Sequence, residues 1–272
     1  MSTTFGKESG TVRRRRTTVV LCLIAMAAAA LPAAACAGTP AKGSARGLAG
    51  AADSLSGLPL EVVQPAPGTS AAQLAIILTG DGGWAALDKE IADSLARHGI
   101  PVVALDSRAY LHTKRTPEQV AGDVARIIRY YGRSFARSEV VLIGYSRGAD
   151  MLPFVVNRLP PDLRSEVRLT ALLGLAPNAN FKFHLIDLVT NHHRADDLPT
   201  VPEVLKLHDP RTLCFYGVTE KEAACKSLPD SVATVVVMPD GHHFGGRYGV
   251  IADRILTALG TSVTPSRPGS SD

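Results

Sequence analysis

The chain has 272 residues, 46% of them hydrophobic and 20% charged, with a formal net charge of +4. That excess sits at one end: residues 1–37 hold five Lys+Arg and one acidic residue, so 24 of each remain beyond them. A formally neutral remainder lacks the basic surface on which a nucleic-acid partner depends, and none is expected.

Arg13–Arg16 precede an apolar run from Val19 to Leu31, followed by Ala33-Ala34-Ala35-Cys36-Ala37. A basic stretch, a short apolar stretch and small residues form the layout of a secretory signal over residues 1–37. The run has 13 residues and meets Pro32, whereas a membrane-spanning helix needs about 20. Cleavage at the Ala35-Cys36-Ala37 site predicts a periplasmic or secreted protein. Lipidation of Cys36, in a weak lipobox, is the alternative ending. Residues 38–57 are Ala/Gly/Ser-rich and read as a flexible linker, residues 58–260 as one domain, and residues 261–272 as a disordered tail.

The domain alternates short apolar runs with helical periodicity. Strands are predicted at Leu74–Leu78, Val102–Leu105, Val140–Ile143, Leu169–Leu175, Leu213–Tyr216 and Val235–Val237. Helices are predicted from Leu87 to His98, from Pro117 to about Tyr131, and from Tyr248 to Leu259. Continuous apolar strands separated by helices imply an α/β fold: a mostly parallel sheet with helices on both faces. Functional loops then gather at the carboxyl ends of the strands.

The strand at Val140–Ile143 runs into Gly144-Tyr145-Ser146-Arg147-Gly148. Gly-x-Ser-x-Gly between a strand and a helix is the pattern of a nucleophile elbow. A serine hydroxyl needs a base to take its proton, so it must project from a tight turn within that base's reach. After Leu74–Leu78 comes Gly80-Asp81-Gly82-Gly83-Trp84. This glycine-rich turn suits one half of an oxyanion hole, with N–H groups at Asp81 and Gly82 and a second donor at Arg147. No Walker-type Gly-Lys-Ser/Thr follows, which disfavours a phosphate loop.

The base is expected after Val235–Val237, where the chain reads Asp240-Gly241-His242-His243-Phe244. His242 is the preferred base and His243 the runner-up. The acid that orients it belongs between serine and histidine, in Gly217-Val218-Thr219-Glu220-Lys221-Glu222. Glu220 is preferred, then Glu222, with Asp187 third. Cys214 and Cys225 are the cysteines left beyond the signal. In an oxidising compartment they are expected to form a disulfide that staples the acid loop. Two cysteines alone make no zinc shell, and acyl transfer on these groups requires no metal or organic cofactor.

With these motifs in place, the chain resembles the VirJ/AcvB family of exported bacterial proteins. The likeness spans about Leu58 to Gly260 and rests jointly on Gly80–Trp84, Gly144–Asp150, the cysteine pair and Gly241–Gly246. The resemblance implies an α/β-hydrolase fold and a periplasmic location. For AcvB-like members it implies hydrolysis of lysyl-phosphatidylglycerol, and for VirJ-like members an association with type IV secretion. Glu222 stands where the family pattern leads one to expect Asp, and the length is that of the single-domain form. An ester or phospholipid at the membrane surface is the expected substrate, its lysyl ammonium received by Asp150 or Asp81. The alternative is a binding protein on a hydrolase scaffold that docks a secretion-system protein, with Phe181–Val189 as an amphipathic cover.

Overall fold

The computed structural model describes residues 55–183, 196–207 and 211–261. The signal, residues 38–54 of the linker, Asp187, most of Phe181–Val189 and residues 262–272 lie outside the described residues. The described ones all belong to one compact unit, Gly47–Asp272.

In chain order the elements are β1 (Leu60–Val63), β2 (Gln73–Leu78), α1 (Ala86–Arg97), β3 (Val102–Leu105), α2 (Ser107–Tyr110), α3 (Pro117–Phe135), β4 (Glu139–Tyr145), α4 (Arg147–Arg158) and α5 (Pro161–Glu166). There follow β5 (Val167–Leu173), β6 (Asn178–Ala179), β7 (Leu198–Pro199), α6 (Val201–Val204), β8 (Thr212–Gly217), β9 (Thr234–Met238) and α7 (Tyr248–Ala258). Seven strands form one sheet in the order β1-β3-β2-β4-β5-β8-β9. Within this sheet the edge pair β1–β3 is antiparallel and the other pairs are parallel; β6 and β7 form a separate antiparallel pair.

Both faces of the central strands are buried, and alternate residues enter different cores. Leu74, Ile76 and Leu78 of β2 join Val140 and Leu142 of β4 and the inner faces of α3 and α4. Ala75 and Ile77 join Val141 and Ile143 and the inner faces of α1 and α7. This is why the strands read as unbroken apolar runs.

Local chemistry sets the helix starts. Thr116 Oγ1 accepts from the Gln119 N–H while the Gln119 side chain accepts from the Thr116 N–H, and Pro117 fixes the first helical φ. The helix runs past the predicted end at Tyr131 to Phe135, because Phe135 still packs on the core and Ala136 supplies the left-handed cap at φ 52°. Asp88 in the first turn of α1 accepts from the Ala85 N–H at 3.2 Å.

The chain leaves β2 toward β3 on one side, returns to β4 beside β2, and continues to β5 on the other side. A crevice opens at the carboxyl ends of the strands where such an order reverses. The glycine-rich turn after β2 and the elbow after β4 therefore meet at one place.

Candidate active site

Ser146 occupies the step from β4 into α4, with φ 52° and ψ −119°. Positive φ is uncommon for a residue with a side chain. The turn holds because its neighbours have none. A Cβ on Gly148 would lie 1.9 Å from the Leu78 carbonyl oxygen, and one on Gly144 would lie 2.5 Å from the Gly148 oxygen. The backbone is pinned from below by the Ser146 N–H, which donates to Leu173 O at 2.8 Å.

The structure brings three side chains from separate loops into one line. His242 Nε2 lies 2.8 Å from Ser146 Oγ, and His242 Nδ1 lies 2.6 Å from Glu220 Oε1. Glu220 Oε2 accepts from the Gly217 N–H at 2.6 Å, which fixes the carboxylate at the end of β8. Burial alone would push the Glu220 carboxyl up. The hydrogen bonds from His242 and the Gly217 amide outweigh it and hold the group below its ordinary value. An ionised acid on Nδ1 leaves the hydroxyl side of the imidazole to accept a proton.

The acid and base loops are laced together. The Thr219 N–H donates to Asp240 O at 3.0 Å and the Val218 N–H to Met238 O at 2.8 Å. The disulfide forms as expected: Cys214 of β8 joins Cys225 across a Cα–Cα distance of 5.6 Å, closing the segment that carries Glu220.

Glu222 is exposed and makes no hydrogen bond to either histidine among the described residues. His243 points elsewhere, its Nδ1 2.9 Å from the Tyr145 hydroxyl. Tyr145 also stacks on the His242 ring, with centroids 5.5 Å apart and planes at 29°. No sequence signal marked this second contact of the residue that precedes the serine.

Ser146, His242 and Glu220 line a cavity of about 980 Å3 together with Asp81, Gly82, Arg147 and Asp150. Asp150 Oδ1 accepts from the Ala176 N–H at 2.8 Å. It lies within the first turn of α4, whose N-cap is Ser146. Burial pushes the Asp150 carboxyl up to about 7, offset in part by the Ala176 amide and the charges of Arg147 and His242. The Asp81 carboxylate is paired with the Arg147 guanidinium, which donates to Oδ1 and, at 2.9 Å, to Oδ2.

The family model described as "VirJ: Bacterial virulence protein (VirJ)" matches residues 72–263. The chain belongs to the VirJ family. No curated protein matches it. Among solved structures, Est1E from Butyrivibrio proteoclasticus with bound ferulic acid is 11% identical, with a TM-score of 0.54, over 76% of this chain and 96% of that one. MenH from S. aureus is also 11% identical, with a TM-score of 0.54, over 74% and 97%. An α/β serine hydrolase homologue from Coxiella burnetii is 15% identical, with a TM-score of 0.51, over 74% and 90%. At these identities the likeness establishes the α/β-hydrolase fold. In this VirJ-family chain the elbow, the glycine-rich turn and the base loop all fall inside the matched residues.

Proposed function

We propose that the protein is a serine ester hydrolase, exported to an oxidising compartment, and that its substrate is an aminoacyl phospholipid such as lysyl-phosphatidylglycerol. The hydrogen-bonded line Ser146–His242–Glu220 inside one cavity carries this reading. Ser146 Oγ attacks the ester carbonyl while His242 Nε2 takes its proton. The carbonyl oxygen, now an alkoxide, is held by backbone N–H groups of Arg147 and the Asp81-Gly82 turn. His242 returns the proton to the departing alcohol. Water then attacks the acyl-enzyme by the same steps in reverse, releasing the carboxylic acid and restoring the serine.

The aminoacyl part is supported by the charge of the cavity wall. Asp81, Asp150, Asp197, Glu220 and Glu222 line it against Arg147 and Lys221. With Asp81 held by Arg147 and Glu220 by His242, Asp150 is the carboxylate nearest the elbow in the chain that fits an ammonium. A cation beside it favours its ionised form. The buried disulfide, Cys214 and Cys225 each 0% exposed, supports the exported location.

Purified protein incubated with vesicles containing lysyl-phosphatidylglycerol is expected to release free lysine. Release no faster than from a Ser146→Ala control removes the lipid as substrate.

A further inference from the structure

The chemistry proposed above uses the backbone of Asp81 and Arg147 and gives their side chains no task. Those side chains meet. Arg147 Nε and Nη2 donate to the two oxygens of Asp81 as a fork, and Nη1 donates to Asn180 O at 3.1 Å and to Lys182 O at 3.5 Å. The pair is largely enclosed, with side-chain exposures of 9% for Arg147 and 21% for Asp81.

Stability is a poor reason for such a pair, since desolvating two charges costs about as much as their attraction returns. Position offers a better one. The ladder between β2 and β4 ends at Leu78–Gly144, before either residue is reached. Beyond it the turn is closed on itself by the Gly83 N–H donating to Gly80 O at 3.0 Å. Its other neighbour is the elbow: a Cβ on Gly80 would lie 3.2 Å from Ser146 Cβ. Arg147 opens α4, and the N–H groups of a helix's first turn are those its own ladder leaves for another acceptor. The two segments that carry the oxyanion donors are thus tied by the side chains of the donor residues themselves.

We infer that the Arg147–Asp81 ion pair is a positioning device for the oxyanion hole: it fixes the distance between the two backbone donors and neutralises Asp81 beside the developing alkoxide. The guanidinium extends the tie to the carbonyls of Asn180 and Lys182, just past β6, and Asn180 lines the cavity. This inference rests on Ser146 being the nucleophile. Arg147 and Asp81 act through backbone groups and are positioning residues.

The test is the kinetics of covalent labelling by a neutral fluorophosphonate, which builds negative charge on the phosphoryl oxygen as Ser146 attacks. Arg147→Met is expected to lower the maximal labelling rate by about 10- to 100-fold and leave the half-saturating probe concentration unchanged, because the alkoxide-like charge exists only in the transition state. Arg147→Lys is expected to lose nearly as much, since an ammonium cannot span both carboxylate oxygens and two carbonyls. Adding Asp81→Asn to Arg147→Met is expected to recover about tenfold by removing the uncompensated charge. Labelling of Arg147→Met at the wild-type rate, or a change confined to the half-saturating concentration, overturns the device while the hydrolase reading stands. Wild-type protein that is not labelled at all overturns both. Should Arg147→Met not fold, Arg147→Lys alone decides, and a wild-type rate in that variant contradicts the proposal.

Discussion

Ser146 Oγ and His242 Nε2 are 2.8 Å apart, yet they follow β4 and β9, which are separated in the sheet by β5 and β8. Neighbouring strands lie about 4.8 Å apart, so the base loop must lean back across some 14 Å of sheet end. Gly174, after β5, makes the room. It has φ +69°, and a Cβ there would lie 2.6 Å from His242 Cε1. Gly174→Ala is therefore expected to displace the imidazole and lower turnover about 100-fold or more, with the substrate KM little changed. Steady-state kinetics on any ester the wild type accepts would check it.

The two adjacent histidines separate cleanly. His242→Ala removes the group on Ser146 and is expected to lower turnover by about 10^3-fold or more. His243→Ala removes a partner of the Tyr145 hydroxyl and is expected to cost about tenfold or less. The reverse order of effects, measured on the same ester, contradicts the assignment.

Glu220 gives a signed prediction. Its folded-state value is depressed by the His242 and Gly217 contacts. The stability it contributes is thus fully present above its unfolded value of about 4.3 and is lost as pH falls through the lower folded value. Glu220→Gln is expected to lower turnover by about 10^2- to 10^4-fold, because an amide no longer selects the imidazole tautomer, and to flatten the acid limb of the stability curve. Chemical denaturation between pH 6 and 3 reads that limb.

Asp88 carries the opposite sign. It is 0% exposed, burial pushes its carboxyl up to about 7, and its Oδ1 has no hydrogen-bond partner among the described residues. A carboxyl raised above its unfolded value favours the protonated fold, so its contribution weakens as pH rises from about 4 through 7. Asp88→Asn keeps an acceptor for the Ala85 N–H and is expected to raise the thermal midpoint at pH 8 while changing it little at pH 5.

The reach of the sequence follows from how local each signal is. β2, β3, β4, β5 and β8 were legible because nearly every residue in them is buried, leaving uninterrupted apolar runs; β9 was legible from its run of valines although it is a half-exposed edge strand. β1 was not: Leu60–Val63 is an edge strand with the burial of a surface segment, and β6 and β7 are two residues each. That Ser146, His242 and Glu220 come together was legible from their order along the chain and their places after strands, which the proposed mechanism would require. Glu220, preferred in the sequence, is the glutamate that reaches His242 Nδ1, aided by the Gly217 amide, a contact local to the turn. The tasks of Tyr145, Gly174 and Asp81 were hidden because their partners lie 98, 68 and 66 residues away. Each looked complete within its own motif.

The disulfide closes a segment with a sequence separation of 11, for which the chain-entropy model gives about 3 kcal/mol. Replacing Cys214 and Cys225 by Ser or Ala is expected to lower stability by roughly that amount and to lower turnover as well, since the freed segment carries Glu220. Unfolding curves and activity measured with and without reductant read the two effects separately.

The central claim is that Ser146 is a nucleophile activated by His242 and Glu220. It is tested most directly by treating the purified protein with a fluorophosphonate and mapping the modified peptide by mass spectrometry. The account predicts one phosphonylated residue, Ser146, with labelling lost in Ser146→Ala and strongly slowed in His242→Ala. A folded wild-type protein that takes up no probe, or takes it up equally well without the His242 imidazole, contradicts it.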